Sequence, residues 1–479
     1  MKNSTSSLCF LSAMELLRLL KNKEISAVEL MQAHLDQIKK INPIVNAIVI
    51  LLDEERLLEQ ARAADILFSK NAINGLLQGI PLTHKDMAPT KNIRTTFGSP
   101  IFANNIPDFD ELIVERTAKA GAILIGKTNT PEFAAGSHTY NKVFGATANP
   151  WDITKSAGGS SGGAAVSLAC GMNPLSCGAD MGGSLRNPAA WNNIIGLRPS
   201  PGRVPTAPSK LPWLTLAVEG PMARTVADIA LLMSVIAGPT NGTACAIEEP
   251  NTIFTQSLHR NFKGVKIAMF QNVCGDLQDP EIKKIVRAQT QVFEELGCVV
   301  EQRDPDFLDD TDDVFRCERA MIYGASYYEL MTDEQKLSQI KPEVVEEFNL
   351  MKSFNSSYIA QMQRKKGEIF AKMRAFMNNY EFYILPTTSI HPFNIELPWP
   401  NEINGHKLDS YLDWMKICWC ITATEHPSLA MPCGFGANGM PVGLQIVGRW
   451  HDDFGVLQLG HAYEALTGYA KQRPPLVDS

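Results

Sequence analysis

Ser156-Ala157-Gly158-Gly159-Ser160-Ser161-Gly162-Gly163-Ala164-Ala165-Val166-Ser167-Leu168-Ala169-Cys170-Gly171 runs on into Met172-Asn173-Pro174-Leu175-Ser176-Cys177-Gly178-Ala179-Asp180-Met181-Gly182-Gly183-Ser184-Leu185-Arg186. Paired glycines sit beside serines twice in this stretch, at 158–163 and at 182–184. Between them lie a small-residue segment suited to a close-packed helix and a short apolar strand, Pro174 to Ala179. The spacing predicts two backbone turns meeting at one site. A serine that attacks a carbonyl needs its hydroxyl exposed on a tight turn and free backbone NH groups to hold the oxyanion that forms. Glycine permits both. Asp180 to Ser184 follows the strand, so the successive NH groups of Met181, Gly182, Gly183 and Ser184 predict an anion-binding nest with Ser184 beside it. A Gly-Ser run alone also describes a flexible linker. A linker, however, does not normally lead straight into a packing segment such as Ala164-Ala165-Val166-Ser167-Leu168-Ala169.

Hydrophobic residues make up 45% and charged residues 20% of the 479, an ordinary globular balance with material for a large core and against intrinsic disorder. Length allows up to three domains, although large α/β enzymes often form one. The net charge of -7, without a lysine or arginine block, argues against a dedicated nucleic-acid surface and points to a small-molecule partner. Ten cysteines stand singly apart from Cys418 and Cys420, and no two pairs have zinc-ribbon spacing, so they read as reduced, mostly buried and not metal ligands. The apolar run Leu8 to Leu11 turns amphipathic at Glu15 before a signal-peptide core is complete, and no run approaches a membrane span. These features together favour the cytoplasm.

Ser12-Ala13-Met14-Glu15 and Ser26-Ala27-Val28-Glu29 have the capping-box form and predict two opening helices. The second should end near Asn42-Pro43, and a third should cover Leu52 to Phe68. Gly79-Ile80-Pro81-Leu82-Thr83-His84-Lys85-Asp86 is a short apolar strand that delivers Lys85 and Asp86 to its end. A lone lysine is ordinarily a solvated charge, so Lys85 needs partners before it means anything. Gly121 to Thr128 matches the phosphate-loop pattern, but Ile123 to Ile125 are themselves the strand and Asn129-Thr130-Pro131 follows, which excludes the strand–loop–helix context a phosphate loop needs. Gly159 to Gly163 fits the esterase nucleophile elbow around Ser161, yet its upstream sequence is polar and broken by Pro150. His84, His138 and His426 read as hydrogen-bonding residues, which leaves a Ser-His-Asp mechanism as an alternative only.

Farther on, Val265 to Phe270, Cys298 to Glu301, Phe382 to Leu385 and Val442 to Val447 read as strands. Asp279 to Leu296, Gln361 to Phe376 and Phe454 to Leu466 read as helices. Ile417-Cys418-Trp419-Cys420-Ile421 reads as core.

Lys85, the Gly-Gly-Ser-Ser-Gly-Gly loop and Asp180-Met181-Gly182-Gly183-Ser184-Leu185-Arg186, in that order, resemble the amidase signature family. The likeness runs from about Leu11 to Tyr469. It includes Gly196-Leu197-Arg198-Pro199, Glu219 to Asp228 and Gly439-Met440-Pro441-Val442-Gly443-Leu444-Gln445. It implies an α/β fold in which one large mixed β-sheet is covered by α-helices on both faces. The expected layout is a single amidase domain over 1–479, with N-terminal helices over 12–70, a catalytic core over about 76–235 and a C-terminal half over 260–470. It also implies a Ser-Ser-Lys triad. Ser184 would be the nucleophile, Ser160, preceded by a cis peptide, the bridge, and Lys85 the base. The NH groups of Met181 to Ser184 would form the oxyanion hole. Ser161, Asp180 and Arg186 match motif positions from which they would brace the two loops, and Arg364 sits where some members hold a substrate carboxylate. Thr424-Glu425-His426-Pro427-Ser428 departs from the family's usual asparagine and glycine.

No metal or organic cofactor is implied. The expected partner is a small amide, with neither nucleic acid nor membrane bound directly and a homodimer as a further expectation. Leu214 to Pro221 resembles stand-alone amidases. One alternative is the glutaminase component of a glutamyl-tRNA amidotransferase, which would work with a partner subunit. The others are a Ser-His-Asp esterase and an inactive interaction module.

Overall fold

The computed structural model describes residues 8–275 and 277–478. Three helices open the described chain, α1 (Ala13–Lys21), α2 (Ala27–Val45) and α3 (Glu54–Ser69). Ser26 and Glu29 form the full reciprocal capping box, whereas at α1 only the Ser12 half forms, because the Glu15 carboxylate pairs with Arg18 instead. α2 does not stop at Asn42-Pro43. A proline in the last turn removes only one helical bond, and the helix runs on to Val45, where Asn46 closes it in the left-handed conformation (φ 51°). The Asn42 side chain then accepts the NH groups of Ala47 and Ile48, which turns the chain directly into the sheet.

That sheet has eleven strands. In chain order they are β1 (Ile48–Leu51), β2 (Pro81–Lys85), β3 (Ile123–Thr128), β4 (Leu175–Asp180), β5 (Ile195–Arg198), β6 (Val218–Ala223), β7 (Lys266–Met269), β8 (Val299–Gln302), β9 (Phe382–Pro386), β10 (Ser428–Phe435) and β11 (Pro441–Gly448). Across the sheet the order is β1-β3-β2-β4-β6-β5-β10-β11-β9-β7-β8. β3, β2 and β4 are mutually parallel, as are β9, β7 and β8, while the remaining pairs are antiparallel. The sheet is therefore mixed. The register Leu82↔Leu175, Thr83↔Ser176, His84↔Cys177 brings the carboxyl ends of β2 and β4 side by side. Open sheets build sites at such ends.

Helices cover this sheet, and one contiguous apolar core extends from Ala13 through to Val477. Four of them shape the site, namely α4 (Gly162–Ala169), α5 (Arg186–Asn192), α6 (Asp312–Ser326) and α9 (Lys416–Thr422). Between the last two in the chain come α7 (Pro342–Ser353) and α8 (Ser356–Asn379), and α6 packs against both. α4 is buried at every position, as a run of Gly, Ala, Val, Ser and Leu allows. The single helix expected over Asp279 to Leu296 is two, Pro280–Ala288 and Thr290–Glu295. They part at Gln289, whose amide reaches the carbonyls of Ile285 and Cys433.

Candidate active site

Lys85 ends β2 at 2% exposure, and its Nζ donates to Ser160 Oγ across 2.7 Å. The Gly159–Ser160 peptide is cis. Burial pushes the lysine pKa down to about 7, against the opposing pull of Asp180 and Glu219. An ammonium so placed loses its proton near neutrality. The two serine loops touch directly, because the Ser161 NH donates to the Ser184 carbonyl (3.2 Å). Lys85, Ser160 and Ser184 all line one cavity of about 270 Å³, with Ser184 7% exposed.

The turn after β4 is held from behind by Asp180. Its carboxylate accepts the NH groups of Gly183 (2.9 Å) and Leu185 (3.1 Å). Gly183 is thus turned away from the expected set of four oxyanion donors. Among the described residues the NH groups of Met181, Gly182 and Ser184 carry no such bond, and these three residues line the cavity. Gly183 has φ 110°, and a Cβ there would come within 2.6 Å of the Cys418 Cβ and 2.7 Å of Asn187 Nδ2. Only glycine fits on both counts.

Burial alone would raise the Asp180 pKa, but the Arg186 and Arg198 guanidinium groups and the Gly183 NH outweigh it and hold the carboxyl well below the usual range. Arg186 meets Asp180 through both Nε and Nη2 at 3.0 Å, a bidentate geometry that fixes direction as well as charge. Its remaining donors reach the Cys418 carbonyl, Thr422 Oγ1 and Gln445 Oε1. One arginine therefore ties the Ser184 turn to α9 and β11. Ser161 Oγ bonds the Ala179 carbonyl (3.3 Å), which braces the first loop against β4.

The amidase family profile matches residues 29–457. The chain belongs to the amidase signature family. An acylamidase from Rhodococcus erythropolis is 31% identical over 98% of both chains. One component of the glutamyl-tRNA(Gln) amidotransferase of Thermosynechococcus vestitus is 32% identical over 96% of this chain and 99% of its own length. The crystal structure of a bacterial aryl acylamidase of the same family superposes with a TM-score of 0.91 at 27% identity, covering 97% of this chain and 99% of that one. Such relatives make this amidase an amide-hydrolysing enzyme.

In this amidase Arg364 lies on the outer face of α8, its side chain 83% exposed and paired with Glu368, and it does not line the cavity. The substrate-carboxylate role expected for it is therefore corrected. On α8 the buried positions are Met362, Ile369, Met373 and Met377, and residue 364 falls on the opposite side of a 3.6-residue repeat. The three histidines make hydrogen bonds within the fold. His84 bonds Thr117 Oγ1, His138 lies between Ser156 Oγ and the Ile395 carbonyl, and His426 bonds the Thr424 carbonyl. In the phosphate-loop look-alike, Lys127 is buried in β3 and spends its ammonium on the Ala88 carbonyl and Thr90 Oγ1.

The residue that sequence reasoning missed is Arg319. It lies at 3% exposure on α6 and lines the cavity. Phe315, Arg319, Ile322, Tyr323 and Ser326 all reach the cavity, at the spacing of one helical face. That periodicity is present in the sequence, where Phe315, Ile322 and Tyr323 share their face with Arg319 and Ser326.

Proposed function

We propose that this amidase hydrolyses a neutral, largely apolar carboxylic amide through an acyl-enzyme on Ser184, using Ser160 as proton relay and Lys85 as base. The observation that carries the reading is the buried Lys85 ammonium at 2.7 Å from Ser160 Oγ, on the wall of the cavity that also holds Ser184. With Lys85 neutral, the bond to Ser160 reverses. The Ser160 hydroxyl donates to Nζ and accepts the Ser184 proton, and Ser184 Oγ attacks the amide carbon. The NH groups of Met181, Gly182 and Ser184 stabilise the tetrahedral oxyanion. The proton then returns from Lys85 through Ser160 to the amide nitrogen, the C–N bond breaks and the amine leaves. Water attacks the ester along the same relay and releases the acid.

The apolar wall supports this substrate class. Phe133, Leu214, Phe315, Ile322, Leu412 and Met415 line the cavity, and its one buried arginine is already paired with Glu347. A zwitterion such as glutamine would need charges of both signs left unspent, so the acylamidase and aryl acylamidase relatives are a better guide than the amidotransferase component.

Labelling with a fluorophosphonate followed by peptide mapping tests the reading. Wild type should carry the label on Ser184, Ser184→Ala should carry none, and Lys85→Ala should label far more slowly. Label on Ser161 would sink the triad and restore the esterase alternative.

A further inference from the structure

The guanidinium of Arg319 lies over the Tyr323 and Tyr411 rings and makes four hydrogen bonds, three of them to oxygen. Nε donates to Glu347 Oε1 (2.7 Å), and Nη2 donates to Tyr411 OH (2.7 Å) and Tyr323 OH (3.4 Å). Tyr411 OH also donates to Glu347 Oε1 (2.6 Å), and Tyr323 OH donates to the Phe133 carbonyl (3.1 Å). The charge is therefore neutralised, and the fork is fixed from behind by α7 and the Tyr411 segment. Nη1 differs. Its partner among the described residues is the Met181 thioether, at 3.3 Å, and sulfur of this kind is a weak acceptor. Arg319 and Met181 both line the cavity, and Met181 belongs to the turn that would hold the oxyanion.

A buried donor with so poor a partner is costly to leave unsatisfied. Away from the serine loops much of the cavity wall is apolar, with Phe133, Phe315, Ile322 and Met415 in it. We propose that Arg319 Nη1 is a specificity determinant that binds a second, uncharged oxygen acceptor of the substrate, an ether or carbonyl close to the scissile amide. The inference rests on the hydrolase reading above and narrows its substrate class. Because Glu347 already balances the guanidinium, a neutral acceptor gains the hydrogen bond without burying a net charge. A substrate carboxylate would meet a guanidinium whose charge Glu347 already neutralises from behind, and the site disfavours it. Arg319 also contacts Met181 directly, so the acceptor lies on the oxyanion side of the cavity.

The test uses wild-type enzyme and p-nitroanilides whose acyl chain carries an ether oxygen at successive methylene positions, each paired with its all-carbon isostere. A matching series places methoxy against ethyl on the leaving aniline. One position should show kcat/KM higher for the oxygen substrate by about tenfold, the size of one well-made hydrogen bond. Arg319→Met should erase that preference while still cleaving the all-carbon partner. Because removing Arg319 leaves Glu347 buried without its partner, Glu347→Gln gives a second reading with the arginine in place. That variant should gain about tenfold or more toward the matching carboxylate substrate, since Arg319 then carries an unbalanced charge. All-carbon substrates preferred throughout by wild type would overturn the assignment while leaving the hydrolase reading intact. Absence of turnover across both series, together with no label on Ser184, would overturn the hydrolase reading and this assignment with it.

Discussion

Lys85 works as a base only when neutral, and burial has brought its pKa down to about 7. A base with a pKa near the working pH combines a large unprotonated fraction with useful proton affinity. The sign follows directly. Below pH 7 the ammonium is protonated and the relay is blocked, so kcat/KM for a non-titrating anilide should rise with pH through a midpoint at about 7. A flat profile from about pH 6 to 8 would remove Lys85 from the base role. Lys85→Ala should lower kcat by about 10²- to 10⁴-fold, the usual worth of a positioned base, with the far-ultraviolet circular dichroism unchanged. Arg364→Ala is the matching control. An exposed i,i+4 pair contributes about 0.5 kcal/mol or less, so kcat/KM should be unchanged, and a loss beyond about threefold would return Arg364 to the site.

At the scale of elements, the turn after β4 depends on a buried ion cluster. Asp180 faces Arg186 at 3.0 Å and Arg198 at 3.6 Å, all three side chains fully buried. Removing one partner strands the others without compensation, which typically costs about 3–5 kcal/mol. Asp180→Asn should therefore lower the urea midpoint markedly and leave one acceptor oxygen for the Gly183 and Leu185 NH groups. Gly183→Ala should abolish activity, because its φ and the nearby Cys418 Cβ both reject a side chain. Full activity in the alanine variant would mean that the turn is not held as described.

The same elements explain what the sequence could reveal. β2 and β4 were legible because short apolar runs ended abruptly in Lys85 and in Asp180-Met181-Gly182-Gly183, and their parallel pairing makes those ends one place. β5, β6 and β10 were not legible as strands. They contain Gly196, Gly220, Pro221, Pro432 and Gly434 and are buried almost throughout, so they lack the alternation that marks a half-buried strand. The commitment of the Gly183 NH to Asp180 had a sequence signal, since aspartate side chains capture backbone NH groups a few residues on. Pattern alone could not say which NH groups would stay free. The partners of Arg319 were out of reach, because Glu347 and Tyr411 are 28 and 92 residues away along the chain.

The whole molecule carries two sets of buried titratable groups whose pH effects oppose each other. Burial pushes His34 and His84 down to about 3 and His138 and His426 down to about 4. The unfolded chain protonates these imidazoles near about pH 6.5 while the folded one does not, so each lowers stability as pH falls from there toward about 3–4. Burial raises Glu111 and Glu464 to about 7 and raises Glu219 as well, the last also through the Glu111 charge. These hold protons in the fold that the unfolded chain has released above about pH 4.5, so each adds stability as pH falls from about 7 toward 4.5. The two sets oppose each other between about pH 4.5 and 6.5, and burial adds His451 and His461 to the first and Asp86, Glu132, Asp228, Glu318, Glu346 and Asp452 to the second. Below that window the glutamates are protonated in both states and their effect stops, while His34 and His84 continue toward about pH 3 at about 1.4 kcal/mol per pH unit each and His138 and His426 stop near about 4. The depressed Asp180 acts in the same direction as the histidines there. Urea midpoints measured from about pH 3.5 to 6.5 should stay nearly level down to about 4.5 and then fall steeply. The advantage of His426→Gln over wild type should grow as pH falls from about 6.5 to about 4 and stay constant below that. A steady decline beginning at about pH 6.5 would instead mean that the three glutamates are ionised in the folded protein and that burial does not hold their protons.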